Sequence, residues 1–286
     1  MRRDDRAAGE LRRRYRRELR RVKCWRDGAR LLRGFWEPDE RLPLPELASA
    51  LRAAASGNSA EPVKQDIRCA SWKARLLGRT VFVKRYAVAT GSDLLKYAFR
   101  VSRARRYWAA ARSLVPARIG TPRVLGYLEV LQGFEPVESF VVTQWCELPD
   151  ARHWLERERR NPRGNFSAFR RKLWASLAAL YQQGIYHRDT KLSNLLVDQT
   201  DDELQLLWTD IECLRFGAHI SLHCVVRNLV QLNGSLPSDF PRGERRSFLE
   251  LAGRDFPALL SPRTVRKIHR WTDRRLRKEQ RTGCGP

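Results

Sequence analysis

His187-Arg188-Asp189-Thr190-Lys191-Leu192-Ser193-Asn194 is the stretch on which the reading of this chain turns. Just before it, Phe166, Phe169, Leu173, Leu177 and Leu180 recur at spacings of three and four. That periodicity predicts an amphipathic helix, with Gly184 as its stop. Just after it, residues 195–198 and 204–208 are short apolar runs joined by the polar turn Gln199-Thr200-Asp201-Asp202. They read as a small hairpin whose second strand leads into Asp210. An Asp and an Asn five residues apart, followed by a second Asp at a strand end, match the needs of phosphoryl transfer. One carboxylate must orient the attacking hydroxyl and take its proton, and oxygen ligands must hold a cation against the transferring phosphate. Asp189 suits the first task, and Asn194 and Asp210 suit the second.

Further upstream the texture is that of a sheet. Residues 66–76 and 80–86 read as strands joined by the tight turn Leu77-Gly78-Arg79, and residues 124–131 and 139–144 as two more. Between these pairs, residues 105–114 read as a helix with Tyr107, Trp108, Ala111 and Leu114 on one face. Beyond Pro149 helices predominate, with further helices over 225–232, 244–252 and 261–276. The expected fold class is therefore α+β, a small antiparallel-sheet lobe followed by a helical lobe. The expected division is residues 1–60 as a basic helical extension and linker, 61–147 as the sheet lobe, 148–262 as the helical lobe and 263–286 as a basic C-terminal helix and tail.

Composition narrows the partners. The 286 residues carry a formal net charge of +24, so the chain repels itself unless an anion is near. In residues 1–36, Leu11, Tyr15, Leu19, Val22 and Trp25 form an apolar stripe among arginines, either an arm for anionic lipid or nucleic acid, or a helix packed by that stripe. No nucleic-acid-binding motif accompanies the charge, so nucleic acid is not an expected partner. The 6 cysteines form no CxxC pair and read as reduced thiols, and His219, His223, Cys213 and Cys224 match no zinc spacing. With no apolar leader and no apolar run of about 20 residues, the expected location is cytoplasmic.

The loop and its flanks resemble the H-R-D-x-x-x-x-N signature of the protein-kinase-like superfamily. Val81-Phe82-Val83-Lys84 is similar to its V-A-I-K strand, which implies that Lys84 holds the α- and β-phosphates of ATP. The same resemblance implies that Lys191 steadies the transferred phosphate. It also implies that Gln144-Trp145-Cys146-Glu147 runs as the hinge, with adenine on the backbone near Trp145 and Glu147. Trp208-Thr209-Asp210-Ile211-Glu212 puts D-I-E where protein kinases carry D-F-G, which makes Glu212 a further candidate Mg²⁺ ligand. The segment beyond it is short and holds no A-P-E, so it offers no long seat for a peptide. Together with Ser102-Arg103-Ala104-Arg105-Arg106-Tyr107-Trp108 and Gly120-Thr121-Pro122-Arg123-Val124-Leu125, this resembles the bacterial lipopolysaccharide-core kinase family, which acts on heptose or Kdo sugars. The resemblance implies ATP and Mg²⁺ as cofactors, a glycolipid sugar hydroxyl as acceptor, and work at the inner face of the cytoplasmic membrane.

The pattern is broken in two places. No G-x-G-x-x-G precedes Lys84, and the corresponding turn is Arg68-Cys69-Ala70-Ser71-Trp72. Residues 94–114 contain no acid to pair with Lys84, and Tyr107 stands where relatives carry Glu, which leaves Glu61, Asp66 and Glu129 as substitutes. These gaps keep two alternatives open: a protein or small-metabolite kinase of the same fold, and a pseudokinase or basic membrane-binding scaffold. His187 reads as a structural support of the loop, and Arg188 as the partner of a nearby acid.

Overall fold

A computed structural model describes residues 5–27, 30–37, 43–56, 60–66, 69–87, 101–132, 135–159, 166–200, 203–237 and 240–282. The chain divides into two units, residues 13–115 with 122–147, and residues 1–12, 116–121 and 148–286.

The first unit is built on one antiparallel sheet. Its elements begin with helix α1 (Asp5–Arg20), which starts in the other unit, then strands β1 (Lys23–Asp27) and β2 (Arg30–Trp36), helix α2 (Leu44–Ser56), and strands β3 (Glu61–Asp66), β4 (Cys69–Leu76) and β5 (Arg79–Ala87). Helix α3 (Arg103–Leu114) and strands β6 (Val124–Gln132) and β7 (Glu135–Gln144) complete it. The strand order is β1-β2-β6-β7-β5-β4-β3. The β4–β5 turn needs two positive φ angles, and Leu77 (50°) and Gly78 (77°) supply them. Gly126 lies at a register shift between β6 and β7, and a Cβ there would meet the Phe35 carbonyl at 2.6 Å, so only glycine lets β2 and β6 approach.

Helices cover both faces of this sheet. Leu44, Leu47 and Leu51 of α2 pack with Trp72, Leu76, Val81, Val83, Leu128 and Phe140 in one buried cluster. Burying Leu47 and Leu51 contributes roughly 2 kcal/mol each. On the opposite face, Trp108 of α3 packs on Phe35 and Tyr127, with ring centroids at 5.2 and 5.8 Å.

Three expectations from sequence are corrected in this unit. The stripe through Val22 and Trp25 is not one helix: α1 stops at Arg20, and Trp25 lies in β1 with half its surface exposed. Pro43, Pro45 and the run 53–60 read as a linker in the sequence, but leucines at three- and four-residue spacing fold residues 44–56 into α2, and residues 57–59 lie outside the described residues. The run 66–76 is not one strand but the end of β3 and all of β4, with residues 67 and 68, and hence Arg68, outside the described residues.

The second unit is mainly helical. Helix α4 (Ala151–Glu158), which the sequence reading did not single out, is capped by Asp150, whose carboxylate accepts from the Arg152 and His153 amides. Helix α5 (Phe166–Gln182) carries the predicted stripe, and Gly184 beyond it has φ 64°. Strand β8 (Ile185–His187) leads into the loop and pairs with β11 (Leu214–Phe216), while β9 (Leu195–Gln199) and β10 (Leu204–Trp208) form the predicted hairpin. Helices α6 (Leu222–Ser235), α7 (Arg242–Asp255) and α8 (Pro262–Thr282) follow. α8 is no loose tail: Ile268 and Thr272 are buried, and the helix packs on α6.

Candidate active site

The loop of residues 187–194 is suspended from helix α6. Asn228, Gln231 and Ser235 occupy one face of that helix at spacings of three and four. The Asn228 amide donates to the His187 carbonyl at 2.8 Å and to Thr190 Oγ1 at 2.7 Å, and its oxygen accepts from the Tyr181 hydroxyl at 2.8 Å. Gln231 accepts the Thr190 amide at 3.0 Å and donates to the Arg188 carbonyl at 2.7 Å. Ser235 Oγ accepts the Leu192 amide at 3.0 Å. A buried backbone group without a partner costs about 1–3 kcal/mol, so these side chains are what permit an irregular loop over an apolar helix. The sequence reading missed them. The available signal was polar residues at i, i+3 and i+7 in a helix otherwise rich in Val and Leu.

His187 supports the loop from below. It is fully buried against Trp208, ring centroids 4.9 Å apart, and its Nδ1 accepts the Asp189 amide at 3.2 Å. Burial lowers its pKa from 6.5 to about 4, against the opposing pull of Asp189 and Asp210. Between those values only the unfolded chain takes up the extra proton. The neutral imidazole therefore stabilises the fold fully above about pH 6.5, and that contribution is lost as the pH falls to about 4, in total about 3 kcal/mol. Denaturant melts should bear this out: the stability gap between the wild type and His187→Gln should shrink by about that amount from pH 7 to pH 4. A gap that does not change with pH would contradict the assignment.

The Asp189 side chain is 40 % exposed, and Lys191 Nζ lies 3.7 Å from its Oδ1. Asn194 Nδ2 donates to the Asp189 carbonyl at 2.8 Å and approaches Oδ2 at 3.3 Å, so its amide oxygen is the end left for a cation. The Thr209 amide donates to the Asn194 carbonyl at 2.9 Å, which brings the end of β10 to the loop and Asp210 with it. Asp210 has φ 53° and ψ 33°, a left-handed conformation that a non-glycine residue adopts at a cost of about 1–2 kcal/mol and that marks functional turns. Glu212 is buried in the short turn Ile211–Cys213. Among the described residues no three His, Cys, Asp or Glu side chains form a metal cage. An Asn–Asp oxygen pair does fit Mg²⁺, which takes one or two protein ligands and fills the rest with phosphate and water. Arg188, expected to pair with an acid, is exposed and makes no ion pair among the described residues.

The other expected residues lie in the sheet unit. Lys84 on β5 is buried, with only 7 % of its surface exposed. Trp145, just past β7, stacks on Phe82 at 6.4 Å and lies under the Lys73 ammonium at 5.0 Å. Lys73 also bonds Glu147 at 2.8 Å, which lowers the Glu147 pKa, with a further contribution from Trp145. Two of the proposed acidic partners of Lys84 are engaged elsewhere: Glu61 lies 3.9 Å from Lys73, and Glu129 is held by Arg33 at 3.1 Å and Arg105 at 3.8 Å. The Asp66 side chain lies outside the described residues.

A profile of the Lipopolysaccharide kinase (Kdo/WaaP) family matches residues 65–250, more than half of the chain. The chain belongs to this family. The protein is accordingly a kinase, a phosphotransferase of the Kdo/WaaP type. A solved structure of WaaP in complex with acyl carrier protein is similar at TM-score 0.60 and 19 % identity, over 86 % of this chain and 98 % of that one. At that identity the likeness concerns the fold, and the expected α+β kinase-like fold is the one found. No curated protein sequence matches the chain. The Kdo/WaaP match spans β4 to α7, and so includes Lys84 and the whole loop.

Proposed function

We propose that this Kdo/WaaP kinase transfers the γ-phosphoryl group of ATP, with Mg²⁺, to a sugar hydroxyl of lipopolysaccharide core or a related glycolipid. The observation that carries the reading is the exposed Asp189 carboxylate, flanked by Lys191 at 3.7 Å and Asn194 at 3.3 Å on a loop whose backbone is fixed from α6. Asp189 accepts the proton of the sugar hydroxyl as the hydroxyl attacks phosphorus. Lys191 restrains that carboxylate and adds positive charge beside the moving phosphoryl group. Asn194 and Asp210 would hold Mg²⁺, with Glu212 as a buried carboxylate beside them. The ion supplies charge neutralisation at the phosphate oxygens. In the sheet unit, Lys84 is assigned to the nucleotide phosphates, and the backbone at Trp145 and Glu147 to adenine.

An anionic acceptor suits the flank of the loop. Arg227, Arg188 and Arg215 all lie close enough to Tyr186 to pull its pKa down, although burial has the larger effect and raises it. Three guanidinium groups beside the loop favour a sugar that carries carboxylate or phosphate. No helix among the described residues is long and apolar enough to cross a membrane, so work at the inner membrane face would rest on surface attraction. Product analysis after incubation with γ-labelled ATP tests the acceptor. Label is expected in core oligosaccharide or glycolipid. Label found only in protein, or in a small metabolite, would overturn the acceptor assignment.

A further inference from the structure

Helix α8 has two unlike faces. Ile268 and Thr272 are buried where the helix packs on α6, and the His223 ring of α6 meets the Trp271 ring edge-on, centroids 5.7 Å apart. These contacts fix the rotation of α8 about its own axis. On the outward side, Arg263, Arg266, Arg270, Arg274 and Arg277 follow one another at spacings of three and four, and all five are exposed. That spacing aligns them on one face, a line of charge about 21 Å long. Lys267 flanks the line and lies over the Trp271 ring at 4.4 Å. Asp273 is the one acid among residues 262–277. None of the five arginines makes a hydrogen bond or an ion pair with another residue among those described. A row of guanidinium groups fits a surface of many anions better than it fits one small ligand.

The row leads to the reaction loop. Between α6 and α8 lies a cleft of about 340 Å³ whose lining includes Arg227, Gln231, Trp271 and Arg274. Gln231 is the side chain that holds the Thr190 amide and the Arg188 carbonyl, and Arg227 is near enough to Tyr186 of β8 to act on its charge. A surface laid along α8 therefore passes beside the loop that carries Asp189. We propose that the outward face of α8 docks this kinase on an anionic lipid bilayer. This rests on the glycolipid reading given above, since such an acceptor lies in a bilayer. The apolar side of α8 is already packed inside the protein, so the helix adsorbs by charge and inserts nothing. Adsorption of that kind is screened by salt, and each arginine at an anionic surface contributes about fivefold in affinity.

Sedimentation of the full chain with phosphatidylcholine vesicles, with and without phosphatidylglycerol, tests this. The wild type should pellet only with the anionic vesicles and be released by salt. Arg263→Gln/Arg266→Gln/Arg270→Gln should weaken that binding about a hundredfold, and should melt as the wild type does because all three side chains are exposed. If the triple variant does not fold, Arg270→Glu decides alone, with binding about thirtyfold weaker. Arg13→Gln/Arg16→Gln/Arg20→Gln removes the same charge from exposed positions of α1 and should bind nearly as the wild type. Equal losses in the two triple variants would reduce the binding to net charge and overturn the proposal, as would wild-type binding in the α8 variant. A DNA duplex that binds through those α8 arginines more tightly than the vesicles do, at the same salt, would overturn it too. Phosphate transfer separates this inference from the reading beneath it. The α8 variant should phosphorylate soluble core oligosaccharide at the wild-type rate, and glycolipid held in vesicles more slowly. Label found only in protein would sink the acceptor reading itself. Labelled sugar, with vesicle binding unchanged in the α8 variant, would sink the inference alone.

Discussion

Asp189→Asn is expected to lower turnover by about three orders of magnitude while leaving the melting temperature and ATP affinity near those of the wild type. The substitution keeps the shape of the side chain, removes its capacity to accept a proton, and also removes the charge that faces Lys191. Asp189 is well suited to that isolation. Its side chain is 40 % exposed, its main-chain carbonyl is held by Asn194, and its main-chain amide is held by His187, so the loop does not depend on the carboxylate. Initial rates with ATP and an acceptor, paired with calorimetric titration of Mg-ATP, separate the two effects. A variant that turns over as fast as the wild type would remove Asp189 from the chemistry. One that loses ATP binding as well would make it part of the nucleotide site.

The second large effect is expected at Asn228, far less conspicuous in the sequence. Its side chain is fully buried and joins the His187 carbonyl, the Thr190 hydroxyl and the Tyr181 hydroxyl. Asn228→Ala leaves all three without that partner, and each buried group so exposed costs about 1–3 kcal/mol before any rearrangement. We expect a loss of about 3 kcal/mol in stability by denaturant melts, with turnover reduced at least tenfold even at temperatures where the variant is folded. The two readings together are diagnostic. A stability loss with full turnover would mean that the loop holds its shape without α6, contrary to the suspension described above.

The contrast between these two residues shows where the sequence was informative. The loop was legible because phosphoryl transfer constrains residue type and spacing along a few consecutive positions, as in Asp189, Asn194 and Asp210. The long helices and the β9–β10 hairpin were legible because their apolar periodicity is local. Helix α2 was not, because its alanines and serines look like a linker until Leu44, Leu47 and Leu51 are seen buried against Trp72 and Phe140. The two N-terminal strands were also hidden, because β2 owes its place to pairing with β6, about a hundred residues further along the chain. The surroundings of Lys84 were unreadable for the same reason. Glu129 was a candidate partner on charge alone, and only the packing of β2 and α3 shows that Arg33 and Arg105 claim it.

The central claim is that the loop at Asp189 carries phosphoryl transfer from ATP to a core sugar. It is tested most directly by the initial rate of phosphate incorporation into purified core oligosaccharide, measured with ATP in the presence and absence of Mg²⁺. The account predicts phosphorylated oligosaccharide that requires Mg²⁺ and forms about a thousandfold more slowly in Asp189→Asn. Incorporation at the wild-type rate in Asp189→Asn, or no incorporation by a folded wild type that binds Mg-ATP, would contradict it.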